Sequence, residues 1–447
     1  MRKARILLPA VVCLLCMTAC SGEKIETGEL AEGDTQESQA PDLTLFFSGE
    51  NTVWISAIED LCSAFSKEYP QYTLEVEYSS GDDYTEELKA KEALDEFPDI
   101  FEIEDPYMFE EADMLGAVDG EIGELVEQPI MDDGKICALP FYGTSYGIIY
   151  NQVIFKEYGL SVPNTYGEFL ELCGQLKNLG ITPLAVGGSE SSADQGWINY
   201  FFLKDVETGR STWIQDRISG KVSFQDPEVT EALTEFRDLM TGEYVLEDSI
   251  NMGDTQIISY MIDQKVAMYY GTPAMLAKIW EAYPRAMDSD KTPLGEELEN
   301  DTVQIRPGWF YMPDDSGTRI VMEQTGSIWA ASKACMGIPT KKKAADTFLK
   351  FCYRTENYRK VLQAMNGMPV TNDGVLYAAP AVQQNVIIDY RYADRISRYL
   401  GNMETPASFR GDMQETVHSL ASNTIEVGTA ARQLDEKWNE AEKEQAE

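Results

Sequence analysis

The chain has 447 residues, enough for two or three domains, and its 43% apolar and 25% charged content is that of a globular body. Asp and Glu number 76 against 36 Lys and Arg, a formal net charge of −40 that repels phosphate backbones and argues against a nucleic-acid partner or an anionic membrane surface. A single histidine, His418, removes most triads, zinc sites and acid–base schemes built on imidazole.

The chain opens with Arg2, Lys3 and Arg5, an apolar run from Ile6 to Met17, and Ala19 before Cys20. This is the layout of a secretory signal over residues 1–19, too short to span a bilayer comfortably. Cys13, Cys16 and Cys20 fall in a C-x2-C-x3-C spacing that invites a metal reading, but the first two would leave with the signal. "MTAC" resembles a bacterial lipobox with Met17 in place of the usual Leu, which makes Cys20 a candidate lipid anchor. An uncleaved signal anchor and a metal ligand are the competing readings. The remaining cysteines, Cys62, Cys137, Cys173, Cys335 and Cys352, are odd in number and contain no C-x-x-C pair, so no disulfide scaffold is indicated. After Cys20, residues 21–41 carry six acidic residues, one Lys and no aromatic. That composition predicts a flexible tether over residues 20–41 with a reach of roughly 25 Å.

From Asp42 the pattern becomes that of a folded body. "DLTLFF" and "TLEVEY" alternate as strands, and between them Ile55, Ile58, Leu61, Cys62 and Phe65 recur at helical spacing, so the unit is β-α-β. "GDDYTEELKAKEAL" reads as a helix with Asp82 or Asp83 as N-cap, and "FPDIFEIEDP" as a strand running into a loop. Parallel strands joined by helices predict an α/β sheet, whose ligands lie at the carboxyl ends of the strands. The loops "SGENTVW", "SSGDD" and "EIEDP" should open on one edge. A second α/β pattern follows "ALPFYGTSYGIIYNQ": helices in "IFKEYGL" and "TYGEFLELCGQLKNLG", a strand in "TPLAVGG", and a strand feeding a helix in "KVAMYYGTPAMLAKIWEAY". "GSIWAAS" is strand-like, while "KKKAADTFLKFCYRT", "ENYRKVLQAMNG" and the carboxyl-terminal region are helical. There Leu434 and Trp438 share a face, and His418 is an ordinary helix residue.

These segments, in this order, resemble the family 1 extracellular solute-binding proteins of ABC importers, the group that includes maltose-binding protein. The likeness rests on "LTLFFSGENTVW", "FPDIFEIED", "ALPFYGTSYGIIYNQVIFKEYGLSVPNTYGEFLELCGQL", "KVAMYYGTPAM" and "GSIWAASKACMGIPTKKKAADTFLKFCYRTENYRKVLQAMNGMPVT", together with the lipobox. It implies a two-lobe α/β fold of the periplasmic-binding-protein type II kind, each lobe a mostly parallel sheet flanked by helices, with hinge crossovers between them. The expected lobes are residues 42–148 plus 313–364 and residues 149–312 plus 365–447. It further implies an extracellular, lipid-anchored, single-copy receptor that closes on a solute and docks on permease subunits, with no cofactor, no metal and no chemistry on the solute.

A sugar presents apolar C–H faces and a rim of hydroxyls, so its receptor needs aromatic platforms and groups that donate and accept hydrogen bonds. The first lobe offers Glu50, Asn51 and Trp54 after its first strand, Asp82 and Asp83 after the second, and Glu104 and Asp105 after the third. Trp197 and Tyr270 stand where the family commonly lines its cleft, Tyr142 and Tyr146 flank the first crossover, and Trp309 and Trp329 lie near the return. Thr272 and Pro273 depart from the family pattern, which often has an aromatic there. Each aromatic has core packing as its competing role, and each carboxylate a solvated loop or helix cap. Trp213, Trp280 and Trp438 read as structural. Residues 288–299 mimic a calcium loop, but Pro293 replaces the glycine its turn requires, so a solvated acidic loop is expected. Two rivals stay open: a surface glycoside hydrolase built on paired carboxylates, and the same fold binding a polyamine, peptide or cation.

Overall fold

The computed structural model describes residues 42–49, 52–80, 84–103, 109, 112–132, 134–187, 193–289, 303–402, 405–406 and 408–446. The chain begins β1 (Leu43–Phe47), α1 (Thr52–Glu68), β2 (Leu74–Tyr78), α2 (Tyr84–Ala93) and β3 (Ile100–Glu102), which is the β-α-β pattern read from the sequence. β4 (Ile130–Asp132) and β5 (Lys135–Thr144) follow, and then β6 (Gly147–Asn151), α3 (Tyr166–Asn178), β7 (Thr182–Ala185), α4 (Ala193–Phe202) and α5 (Pro227–Met240). β8 (Val266–Gly271), α6 (Ala274–Ala282), β9 (Pro307–Phe310), β10 (Val321–Met322), β11 (Gln324–Ala331), α7 (Pro339–Cys352) and α8 (Thr355–Met365) come next. α9 (Ala381–Tyr392), β12 (Arg395–Ile396), α10 (Phe409–Ala421) and α11 (Val427–Ala446) complete the chain.

Two sheets organise these elements. One has the order β2-β1-β3-β11-β5-β4 and the other β7-β8-β6-β9, while β10 and β12 form a separate parallel pair. The chain passes from the first sheet to the second through Ser145 and Tyr146, between β5 and β6, and returns between β9 and β11. Neither sheet is mostly parallel. β1 is parallel to β2 and β3, and β7 to β8, but β11 runs antiparallel to β3 and β5, and β6 antiparallel to β8 and β9. The physical reason is the crossover itself: strands that carry the chain out of one sheet and back into it must run in opposite directions.

The first sheet is buried on both faces, and side chains alternate between them. Phe46, Phe101, Ala138, Ile328 and Ala330 pack towards Tyr84 and Leu88 of α2. Leu45, Phe47, Ile100, Leu139 and Trp329 face the larger core, which includes α1, α7 and α8. The buried stripe of α1 is Trp54, Ile58, Leu61, Cys62 and Phe65. The spacing 54, 58, 61, 62, 65 is a cleaner helical face than one starting at Ile55, and it turns Trp54 inwards. β8 is buried throughout, and α10 and α11 bring Met413, Val417, Leu434 and Trp438 into the core. Trp213, Trp280 and Trp438 are all buried, as read from the sequence, and His418 sits in α10. Cys62, Cys137, Cys173, Cys335 and Cys352 are buried free thiols. Among the described residues, no helix is long and apolar enough to cross a membrane, and no three His, Cys, Asp or Glu side chains group to hold a metal.

Candidate functional site

The carboxyl ends of β1, β2, β3 and β5 and the start of β11 share one edge of the first sheet, since Phe47 pairs with Tyr78 and Gln324 with Thr144. Glu102, the last residue of β3, organises that edge. Its Oε2 accepts from the Ser48 backbone N–H at 2.6 Å and from Trp54 Nε1 at 3.2 Å, and its Oε1 accepts from Ser327 Oγ at 2.6 Å. Ser327 Oγ in turn accepts from Trp329 Nε1 at 3.0 Å, and the Glu102 backbone N–H donates to Tyr84 Oη at 3.0 Å. One carboxylate therefore ties together the end of β1, the first turn of α1 and the start of β11. Charged acceptors make stronger hydrogen bonds than neutral ones, so this is a stiff junction.

The expected aromatic platforms fall into two groups. Trp54 sits edge-on to Phe47, Phe141 and Trp329, with its centroid 5.9 Å from Tyr142. Trp329 is stacked against Phe141 at 4.0 Å and parallel to Phe348. On the second sheet, Tyr270 stacks on Tyr146 at 5.6 Å and lies 4.3 Å from Trp197. Trp54, Tyr146, Trp197, Tyr270 and Trp329 are all buried, and only Tyr142 and Trp309 are half-exposed. Trp197 Nε1 and Trp309 Nε1 meet no acceptor among the described residues. Trp329 holds a core position because it alternates with Ile328 onto the α7 and α8 face. Burial pushes the Tyr142 hydroxyl well above its usual pKa, with the Glu102 charge adding to the rise. Burial does the same to Tyr270, helped by Tyr146.

Glycines seat the crossover rings. A Cβ on Gly326 would stand 2.1 Å from Tyr142, one on Gly196 2.6 Å from Tyr146, and one on Gly147 2.4 Å from Trp309. All lie far inside van der Waals contact, so only glycine lets these rings lie flat on backbone. Of the other expected site residues, Glu50, Asn51, Asp82, Asp83, Glu104 and Asp105 lie outside the described residues, as do Cys20, the tether and residues 290–299.

A crevice of about 410 Å³ lies between the edge of the first sheet and α4, which follows β7 of the second. Gln128, Pro140, Gln324 and Thr325 contribute from the first side, Gln195 and Asn199 of α4 from the second, and Tyr399 to Asn402 from the segment after β12. Asn199 holds that segment in place: its Nδ2 donates to the Leu400 carbonyl at 3.0 Å, and its Oδ1 accepts from the Leu400 N–H at 2.8 Å. Glu323 and Glu127 lie in the wall, and Arg395 joins both, at 3.1 Å and 3.0 Å. Sequence reading did not single out Glu102, Gln195 or the 397–402 segment. The amide and hydroxyl run "EQT" beside "GSIWAAS" and the Tyr-Leu-Gly-Asn turn were the available signals.

The profile described as "Bacterial extracellular solute-binding protein" matches residues 49–359 of this chain. The chain belongs to that family. Among curated relatives of this solute-binding protein, the "Multiple sugar-binding protein" of Streptococcus mutans is 25% identical over 170 residues, 36% of this chain and 39% of that protein. The melibiose/raffinose/stachyose-binding protein MelE of Bacillus subtilis is 21% identical over 267 residues, 57% of this chain and 59% of the relative. The chain thus spans about two fifths and three fifths of these relatives' lengths. A solved structure of a chitin oligosaccharide binding protein superposes with a TM-score of 0.73 at 20% identity, covering 89% of this chain and 98% of that one. The fold is the two-lobe solute-binding fold that the order of motifs implied.

Proposed function

We propose that this solute-binding protein captures a sugar or oligosaccharide between its two α/β lobes and delivers it to the permease of an ABC importer. The observation that carries the reading is the crevice itself, walled by amides and hydroxyls from the first sheet, α4 and the segment after β12, with the Tyr390 and Tyr399 rings in its lining. Amides suit sugar hydroxyls because each can donate and accept. The two partly matching relatives are named for sugars, which supports the same class of solute. The lobes follow residues 42–148 with 313–364 and residues 149–312 with 365–447, with the first boundary drawn back to Ser145 because Gly147 and Ile148 pair in the second sheet, and Cys20, carried on the acidic segment, anchors the body to the outer face of the membrane. The candidate contacts are Tyr142 and Trp309, whose rings keep accessible area, and Glu50, Asn51, Asp82, Asp83 and Asp105 on the chain after β1, β2 and β3. Trp54, Tyr146, Trp197, Tyr270 and Trp329 support the site from behind unless the lobes part. The protein acts as a receptor and leaves the solute intact. Isothermal titration calorimetry with raffinose, stachyose and chitin oligosaccharides tests this: saturable binding without release of reducing ends is expected. Reducing ends released from any of them would support a hydrolase instead.

A further inference from the structure

The charged groups at the crevice wall are largely engaged with one another, leaving one net negative charge. Glu127 and Glu323 are its carboxylates, and among the described residues no Lys or Arg lines it. Behind them stands Arg395, on β12. One guanidinium nitrogen reaches Glu127 Oε2 at 3.0 Å and another reaches Glu323 Oε1 at 3.1 Å. The same Glu323 Oε1 accepts from Tyr390 Oη at 3.3 Å, and its Oε2 from Gln128 Nε2 at 3.4 Å. Arg395 also lies over the Tyr390 ring at 4.9 Å. Three of the four carboxylate oxygens are therefore engaged by protein donors. Arg395 is about one-fifth exposed, Glu323 less and Glu127 about one-third, so the trio is partly shielded from water and its charges act over a longer range than surface pairs.

We propose that Arg395 sets the class of solute: by engaging Glu127 and Glu323 it leaves a crevice that accepts uncharged sugars and refuses both polyamines and sugars bearing carboxylates. This deepens the sugar-capture reading and rests on it. A polyamine needs open carboxylates to replace its lost hydration, and these two are occupied. An acidic sugar needs a Lys or Arg in the wall, and it would also meet the residual negative charge of the trio. What remains to read a solute is the uncharged set of Gln128, Gln195, Gln324 and Thr325, which fits neutral hydroxyls.

The test is calorimetry on the full chain with raffinose, stachyose, trigalacturonate and spermidine, for the parent, Arg395→Met and the double variant Glu127→Gln with Glu323→Gln. Removing Arg395 adds one unit of negative charge to the wall, and the double amide reverses its sign. The one-unit change of Arg395→Met is expected to raise spermidine affinity by about tenfold and the two-unit change of the double amide to raise trigalacturonate affinity by about a hundredfold, from unit charges roughly 10 Å away at an effective dielectric near 20. Spermidine binding should therefore appear in Arg395→Met and trigalacturonate binding in the double amide, with both gains shrinking as salt rises. The amides are isosteric with the carboxylates, so the second variant carries the test where the first fails to fold. Absence of the gain in a folded variant overturns the assignment to Arg395. Parent protein that binds neutral and acidic sugars within about twofold overturns the inference while leaving sugar capture standing. Parent protein that binds spermidine but no neutral sugar overturns both.

Discussion

Replacing Glu102 with Ala removes the acceptor for three donors at once: the Ser48 N–H, Trp54 Nε1 and Ser327 Oγ. Hydrogen bonds to a charged acceptor contribute about 1.5–3 kcal/mol each, but Ser48 is only partly buried and can turn to water. The expected loss for Glu102→Ala is therefore about 3–5 kcal/mol, below the sum of three full bonds. Glu102→Gln separates the contributions. With its amide oxygen placed at Oε2 it still accepts from Ser48 and Trp54, and its NH2 faces Ser327 Oγ, which already accepts from Trp329. Only the charge and the Ser327 donation are lost, so about 1–2 kcal/mol is expected. Urea unfolding followed by tryptophan fluorescence reads both, because Trp54 and Trp329 belong to the same ring cluster. A Glu102→Ala midpoint equivalent to less than about 1 kcal/mol of loss would refute the view that this carboxylate ties the edge together.

The glycine seats give a second expectation. Gly326→Ala should displace Tyr142 and Gly196→Ala should displace Tyr146, each at about 1–3 kcal/mol and with weakened sugar binding, whereas unchanged melting and affinity would show that the rings move at no cost. Asp205 supplies a pH dependence: burial, opposed by Lys204, raises its carboxyl from the ordinary 3.8 to about 6. The folded state then holds the proton more tightly than the unfolded state, so this group favours folding below about pH 4 and loses that contribution as pH rises through 6. Asp205→Asn should accordingly become less harmful relative to the parent between about pH 4 and 7, and a difference independent of pH in chemical denaturation would contradict it. Cys20→Ala should move the protein from the membrane fraction into the medium, and full retention in membranes would remove the anchor.

The alternation of "LTLFF" and "LEVEY" and the helical stripe between them suffice to place β1, α1 and β2, because those patterns are local. The direction of β11 and the pairing of β6 with β9 are not local, since they depend on where a distant segment returns. The same limit applies to the site. Trp54 and Trp329 are visible as aromatics next to predicted loops, yet one residue of helical phase and one step of strand alternation decide that both face the core. Glu102 escaped notice because "EIED" offers three carboxylates, and only the pairing of β3 with β11 selects the one beside Ser327. The Asn199 to Leu400 clasp joins residues 201 positions apart, with no periodicity to announce it.

Tyr142 and Tyr146 lie on either side of the link between β5 and β6, and they belong to different ring clusters. Tyr142 rests on Gly326 and Gly367 and neighbours Trp54, so it moves with the first sheet. Tyr146 rests on Gly196 of α4 and stacks on Tyr270, so it moves with the second. A rotation that opens the lobes must act through each link between them, the residues from Thr144 to Gly147, the return near Tyr311 and the third passage beyond Met365, and it would carry these two rings apart. Tyr142 is half-exposed and Tyr146 buried, so opening at this link would uncover the second ring more than the first. Stiffening that link should therefore hinder closure, and affinity that depends on closure should fall with it.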